Sequence, residues 1–109
     1  DIRQECLVLD LLEGSRRVLG GGIWFSAGPK PEIADILYIK VLYVKEEFRG
    51  KGLATKLIDM AVEKSEGCQS IFLSAPESAW KFYENNGFSQ IDRYESGGGF
   101  FGSFFRRLT

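Results

Sequence analysis

The sequence contains no histidine, and its two cysteines, Cys6 and Cys68, stand far apart. Without histidine, Ser-His-Asp and Cys-His catalysis are excluded within this chain. Two distant cysteines provide neither the ligand spacing of a zinc site nor a disulfide framework, so we expect no metal. Proton transfer must therefore use carboxylates, Tyr, Lys, Cys or water, and the reducing cytoplasm is the expected location.

The sequence also lacks an excess of charge of one sign and a long apolar run. Its 14 basic and 15 acidic residues give a formal net charge of -1, so the broad basic excess typical of nucleic-acid binding is missing. No apolar run approaches the roughly 20 residues that span a bilayer, and we expect no membrane-spanning role. With 109 residues, 44% of them apolar, the chain is expected to form one domain over residues 1–109.

Hydrophobic periodicity and turn residues predict an alternation of strands and helices. The triplet Gly20-Gly21-Gly22 lies inside a strand pattern, where it indicates a bulge or a close backbone approach. Gly28-Pro29-Lys30-Pro31 predicts a turn. In chain order we predict strands over 6–13, 17–26 and 33–44, a helix over 53–65, a strand over 70–74, a short helix over 76–85, and strands over 88–95 and 100–108.

The stretch Arg49-Gly50-Lys51-Gly52-Leu53-Ala54 lies where a predicted strand gives way to a helix. The first N–H groups of a helix have no partner inside it, and glycines let a ligand approach the backbone closely. Two cations and the helix dipole favour negative charge there, which indicates a phosphate or pyrophosphate site. A solvated glycine-rich turn is the alternative. The spacing fits neither a Walker A loop nor a dinucleotide fingerprint, which needs a small residue where Thr55 stands.

This stretch matches the pattern R/Q-x-x-G-x-G/A, and "SIFLSAPESAWKFYENNGF" follows it with the ending F-Y-E-x-x-G-F. In this order the motifs resemble the GCN5-related N-acetyltransferase (GNAT) family, from residue 6 to the C-terminus and most specifically over 36–88. The resemblance implies an α/β fold with a mixed, strongly twisted sheet of about six strands and two main helices. It also implies acetyl-coenzyme A as cosubstrate.

The resemblance further implies where the cosubstrate binds, along a splayed edge between the strand that ends at Val44 and the strand over 71–74. The pyrophosphate would rest on the amides of 49–54, and backbone groups of 42–44 would face the pantetheine and thioester. Tyr83 matches the family's tyrosine that often acts as general acid toward the coenzyme A sulfur; the alternative is a core ring with a hydrogen-bonded hydroxyl. The implied binding residues are Leu42, Tyr43, Val44, Arg49, Gly50, Lys51, Gly52, Leu53, Ala54 and Ser74.

Three features depart from the family pattern. Many relatives carry a carboxylate on the strand before the loop, where this chain has Tyr38 or Lys40, and Asp35 and Glu32 lie further upstream. Pro76 stands where relatives often have asparagine. The family's N-terminal strand and two helices, which form much of the acceptor wall, are not encoded before Cys6. That wall could come from residues upstream of Asp1, from a second subunit, or be absent from an open site.

We therefore expect N-acetyltransfer from acetyl-coenzyme A to a primary amine of a small molecule or peptide. The alternatives are a non-catalytic coenzyme A-binding regulatory or partner-binding module and, third, a general binder of phosphate ligands. The aromatic C-terminal strand, with Phe100, Phe101, Phe104 and Phe105, predicts a homodimer surface if one sheet face is uncovered. The alternative is a face that the monomer covers itself.

Overall fold

The computed structural model describes residues 3–30 and 33–108. Its strands pair into one mixed six-stranded sheet with the order β1-β2-β3-β4-β6-β5, and β3 and β4 are the parallel pair. Within the described residues, no helix is both long and apolar enough to cross a membrane. The elements are β1 (Arg3–Glu13), β2 (Arg16–Lys30), β3 (Ile33–Val44), α1 (Leu53–Lys64), β4 (Ser70–Pro76), α2 (Trp80–Asn85), β5 (Ser89–Ser96) and β6 (Gly99–Arg107), with 3₁₀ turns at Glu46–Phe48 and Glu77–Ala79.

The glycine triplet of β2 contains both a bulge and a close backbone approach, the two features that the sequence predicts. Opposite β1 the register steps from Leu9–Gly21 to Asp10–Leu19, so Gly20 is the extra residue of a bulge. At Gly21 a Cβ atom would collide with the backbone carbonyl oxygen of Tyr43 in β3. The triplet therefore lets β2 bend and approach β3 closely, as the strand pattern indicated.

The predicted turn at 28–31 is wrong, because β2 continues through Gly28 and Pro29 to Lys30. The pairing with β3 is irregular between Gly28 and Lys30, and Lys30 lies opposite Ile33. An irregularity in the ladder is one of the few places where a strand accepts proline, which has no N–H to donate. Residues 31 and 32 lie outside the described residues.

The second helix begins later than the sequence predicts. Pro76 is extended, with φ -69° and ψ 157°, and it pairs with Phe101 of β6 as the last residue of β4. The chain then makes the 3₁₀ turn Glu77–Ala79 before α2 starts at Trp80. Proline fixes φ at a value that suits both a strand end and a helix start, so the sequence did not distinguish the two.

Both helices cover the same face of the sheet. Leu37, Ile39 and Leu73 on that face are at most 3% exposed, and they join the buried residues of α1 in one apolar core. Phe104 pairs with Leu73 in register and is fully buried, with its ring 5.7 Å from the ring of Tyr83 in α2. Phe104 is thus a core residue, and its predicted role at a dimer surface is wrong.

The opposite face, which we call the outer face, carries aromatic side chains that the helices do not cover. Trp24 and Tyr38 are 44% and 38% exposed, and Tyr38 stacks on Phe72 of β4 at 5.6 Å between ring centroids. Phe105 pairs with Phe72 in register, which places it on this face, half-buried. Phe101 precedes Phe105 by four residues along β6, and residues an even number of positions apart on a strand lie on the same face.

Candidate active site

A gap opens in the sheet between the C-terminal halves of β3 and β4. The parallel pairing covers Ile36 to Ile39 on β3 and Ser70 to Leu73 on β4, and then stops. On its other side β3 has a register shift that leaves Lys40 unpaired between Ile39 and Val41. A bulge bends its strand, so β3 diverges from β4 while β4 stays paired with β6.

A cleft of about 600 Å³ lies where the two strands part. Most of the residues predicted for the site line it, including Tyr83. Of the described residues predicted for the site, Lys51 and Ser74 do not line it. Ser74 is exposed between the buried Leu73 and Ala75, so strand alternation turns it to the outer face. The predicted residues in the lining are Leu42, Tyr43, Val44, Arg49, Gly50, Gly52, Leu53, Ala54 and Tyr83.

The cleft is also lined by four residues that the sequence did not assign to the site. Phe48, directly before Arg49, is buried, and Phe82 precedes Tyr83 on α2. Ser78 and Ala79 come from the 3₁₀ turn before that helix. Their closeness along the chain to the predicted residues was the available signal, but which of them face the cleft depends on how α2 packs.

The N-terminus of α1 opens into this cleft without a side-chain cap. Gly52 is the N-cap residue, with φ 77°, and no side chain hydrogen-bonds to the helix end there. Gly50 has φ 79°, and a Cβ atom added at either glycine would have no neighbour within 4 Å. The loop therefore presents N–H groups and the positive end of a helix dipole to open space, an arrangement that suits a phosphate group.

The two cations of the loop have different environments. Arg49 Nε donates a hydrogen bond to the Val44 carbonyl oxygen at 2.9 Å, which fastens the loop to the end of β3. Lys51 is exposed, with Nζ 5.7 Å from the ring centroid of Phe48. Neither cation forms an ion pair with a described residue, whereas the neighbouring Lys45 pairs with Glu47. Both positive charges therefore remain available to an anion.

Tyr83 lies on the wall of the cleft that α2 forms. Its side chain is 7% exposed, and the rings of Phe82 and Phe88 lie 5.1 and 5.4 Å from its ring centroid. Burial raises the pKa of the Tyr83 phenol from 10.0 to about 12, because the apolar surroundings disfavour the phenolate. The hydroxyl thus keeps its proton at neutral pH and can act as a proton donor.

The residues considered as general base do not converge on the cleft. Tyr38 stacks on Phe72, and Lys40 Nζ lies 5.3 Å from the ring centroid of Trp24, both on the outer face. Neither Tyr38 nor Lys40 is among the described residues that line the cleft, and no carboxylate is. Glu32 and the side chain of Asp35 lie outside the described residues. Among those that are described, no group of three His, Cys, Asp or Glu could hold a metal ion.

Comparison with known sequences finds a family and several relatives. The family described as acetyltransferase (GNAT) domain matches residues 4–90. An acetyltransferase of Agrobacterium fabrum, Atu2258, is 38% identical over 58 residues, which are 50% of this chain and 42% of that protein. N-alpha-acetyltransferase 30 of Schizosaccharomyces pombe is 39% identical over 61 residues, 51% of this chain and 41% of the relative. The chain spans about two fifths of the length of these curated relatives.

Solved structures share the fold. A crystal structure of the NatC complex bound to Gag peptide and CoA contains a chain with a TM-score of 0.75 and 28% identity, covering 89% of this chain and 66% of that one. An acetyltransferase from Bacillus cereus gives a TM-score of 0.74 at 24% identity, covering 98% of this chain and 74% of the other. Together with the family match over residues 4–90, the sheet and its two helices show that the chain belongs to the GNAT family of acetyltransferases.

Proposed function

We propose that this protein transfers an acetyl group from acetyl-coenzyme A to a primary amine. One observation carries the proposal: the uncapped N-terminus of α1 and the protonated Tyr83 line the same cleft at the end of β3. An anion-binding helix end and a buried proton donor are what a thioester with a phosphate-bearing carrier requires. The similar chain in the NatC complex, whose structure contains CoA, supports this assignment.

The cleft fits coenzyme A in chemistry and in shape. We propose that the N–H groups of residues 50–54 bind the pyrophosphate, with Arg49 and Lys51 adding positive charge. The backbone of residues 42–44 would bind the pantetheine along the edge of β3 that β4 leaves unpaired. Ser74 lies on β4, which faces β3 across the gap, and it would contribute only its backbone, because its side chain points to the outer face. Acetyl-coenzyme A, when bound, supplies the acetyl group as an activated thioester.

Each step of the proposed acetyl transfer would use a group of the chain or solvent. A backbone N–H at the end of β3 donates to the thioester carbonyl oxygen while negative charge grows there, and a preorganised donor costs little reorganisation. The amine nitrogen forms a bond to the carbonyl carbon and releases its proton to water. Tyr83 gives its proton to sulfur as the carbon–sulfur bond breaks, and solvent returns a proton to Tyr83.

For the acceptor, we propose that the α-amine of a peptide is the first class to test. The relatives include an N-alpha-acetyltransferase and a complex bound to Gag peptide. Because the chain spans about two fifths of the curated relatives, the acceptor wall belongs to the part of such proteins least represented here. Small amines therefore stay in the same test, and the cytoplasm stays the expected compartment.

A second candidate function is a coenzyme A-binding module without turnover. The observation that favours it is the lining of the cleft, which contains no carboxylate among the described residues and so offers no strong base. An amine that arrives already deprotonated would not need one. The two candidates differ in chemistry but share the cofactor site.

One experiment separates these candidates. Release of free coenzyme A is measured with a panel of peptide α-amines and small amines, and binding of acetyl-coenzyme A is measured by calorimetry on the same preparation. Binding with amine-dependent release supports the acetyltransferase. Binding without release for any amine supports the module, and absence of binding contradicts both.

We further propose that a second copy of the chain covers the outer face. A monomeric protein of 12.3 kDa exposes about 6,100 Å² by the usual scaling with mass. This chain exposes 7209 Å² over its whole surface, roughly 1,100 Å² more than that scaling gives, so it has surface to bury in an interface of ~800 Å² per partner. Exposed side chains on this face, Val8, Trp24 and Tyr38 among them, supply the apolar surface.

A further inference from the structure

We propose that Asn86 is a positioning residue that holds the Tyr83 helix against the phosphate-binding end of α1. Thr55 lies in the first turn of α1, and its Oγ1 donates a hydrogen bond to Asn86 Oδ1 at 2.9 Å. Asn86 is the residue directly after α2. This bond links the two helices that both line the cleft, and the proposal rests on the function proposed above.

The side chain of Asn86 is fixed from both ends of its amide. Its Nδ2 donates to the Phe82 carbonyl oxygen at 2.8 Å, so only Oδ1 is left to accept from Thr55. The Asn86 carbonyl oxygen accepts from Arg106 Nη1 at 3.1 Å, which ties the same residue to β6. Asn86 therefore joins three elements, α1, α2 and β6, at one point.

The helix that carries Tyr83 needs such a link because it is short. Its six residues make fewer than two turns, and so short a helix is not stable by itself in water. At its first residue, Trp80 Nε1 donates to the Ala75 carbonyl oxygen at 2.9 Å and anchors that end to β4. Asn86 anchors the other end. Tyr83 lies between these anchors, so the Thr55–Asn86 bond helps to set where the phenol sits relative to the loop.

This arrangement predicts an effect on turnover rather than on cofactor affinity. A displacement of about 1 Å in a reacting group can cost up to roughly 100-fold in rate. Thr55→Val removes the hydroxyl at nearly constant volume, and we expect kcat to fall about 10- to 100-fold while the Kd for acetyl-coenzyme A changes by less than about 3-fold. Thr55→Ser keeps the hydroxyl and should restore most of kcat.

Asn86→Ala is the second variant, and Asn85→Ala is its matched control on the adjacent, exposed position. We expect Asn86→Ala to lower kcat at least as much as Thr55→Val, and Asn85→Ala to leave it unchanged. The double variant Thr55→Val/Asn86→Ala should be no slower than Asn86→Ala alone, because both changes remove the same bond. Wild-type kcat in Thr55→Val, or fully additive losses in the double variant, would overturn the proposal.

Amide hydrogen exchange gives a readout that does not need turnover. The N–H groups of Asn86 and Phe88 donate to the Tyr83 carbonyl oxygen at 3.0 Å each, so their exchange reports how firmly the end of α2 is held. We expect both to exchange about 10-fold faster or more in Thr55→Val and at the wild-type rate in Asn85→Ala. If the wild type turns over no amine, the proposed function fails, while unchanged exchange in Thr55→Val would refute the positioning role separately.

Discussion

The burial of Tyr83 makes the stability of this protein depend on pH in the alkaline range. The phenol is 7% exposed, and its pKa is raised from 10.0 to about 12 by loss of solvation. Between these two values the unfolded chain loses the phenol proton while the folded chain keeps it. The folded state therefore binds more protons, and the free energy of unfolding must fall as pH rises.

The size of this effect follows from the pKa difference. A shift from 10.0 to about 12 corresponds, at about 1.4 kcal/mol for each pKa unit, to about 2 to 3 kcal/mol. That contribution is fully present below pH 10 and is lost as pH rises to about 12. For a domain of this size it corresponds to a fall of roughly 10 to 20 °C in Tm.

The assay compares denaturant unfolding of the wild type and Tyr83→Phe from pH 8 to pH 12. The difference in free energy of unfolding between the two should stay constant up to about pH 9. Above that pH the wild type should lose about 2 to 3 kcal/mol relative to Tyr83→Phe. Tyr94→Phe is the control, because that ring is 41% exposed and its loss tests the effect of removing a tyrosine as such.

A difference that stays constant from pH 9 to pH 12 would refute the reasoning. The phenol would then ionise alike in the folded and unfolded chains, and burial would not keep it protonated. The role of Tyr83 as proton donor would be unaffected, because a phenol with a pKa of 10.0 is also protonated at neutral pH; the turnover of Tyr83→Phe tests that role separately.

Three further predictions address the loop, the acid and the assembly. Gly52→Val should remove most of the affinity for acetyl-coenzyme A and keep the fold. The control Gly97→Val, also at a positive φ but in the β5–β6 turn, should bind acetyl-coenzyme A as the wild type does. An unchanged affinity of Gly52→Val in calorimetry would contradict the loop assignment. Tyr83→Phe should lower kcat about 10- to 1,000-fold with little change in Kd, and near-normal turnover across pH would leave its hydroxyl a structural role. Sedimentation at micromolar concentration should show a dimer that Phe105→Asp dissociates, while Phe104→Asp should unfold the protein; a wild-type monomer would exclude the assembly.

The strongest local patterns in the sequence predicted the central elements well. β3 has the predicted bounds, Ile33–Val44, because β-branched and aromatic residues fill it, and α1 starts at Leu53 because a glycine loop precedes a clear apolar stripe. The errors lie where local sequence allows two conformations. Pro76 suits a strand end and a helix start alike, and pairing with β6 decides between them.

The residues predicted for the site line the cleft where the prediction depended on backbone position, and the prediction missed or misplaced residues where it depended on side-chain direction. The glycine loop and the end of β3 line the cleft, whereas Ser74 alternates to the outer face. Phe82 lines the cleft because of how α2 packs, and Phe104 is buried because α2 covers it. Neither the packing of a six-residue helix nor the face of β6 that it covers can be read from the local pattern.

The central claim is that coenzyme A lies with its pyrophosphate on the start of α1 and its pantetheine along the end of β3. The most direct measurement is a titration of the ¹⁵N-labelled protein with acetyl-coenzyme A, followed by backbone amide chemical shifts. We predict the largest changes in residues 50–54 and 42–44, and much smaller ones at Gly14 in the β1–β2 turn, which does not line the cleft. No change in residues 50–54 at saturating ligand, or the largest changes in the β1–β2 hairpin, would contradict it.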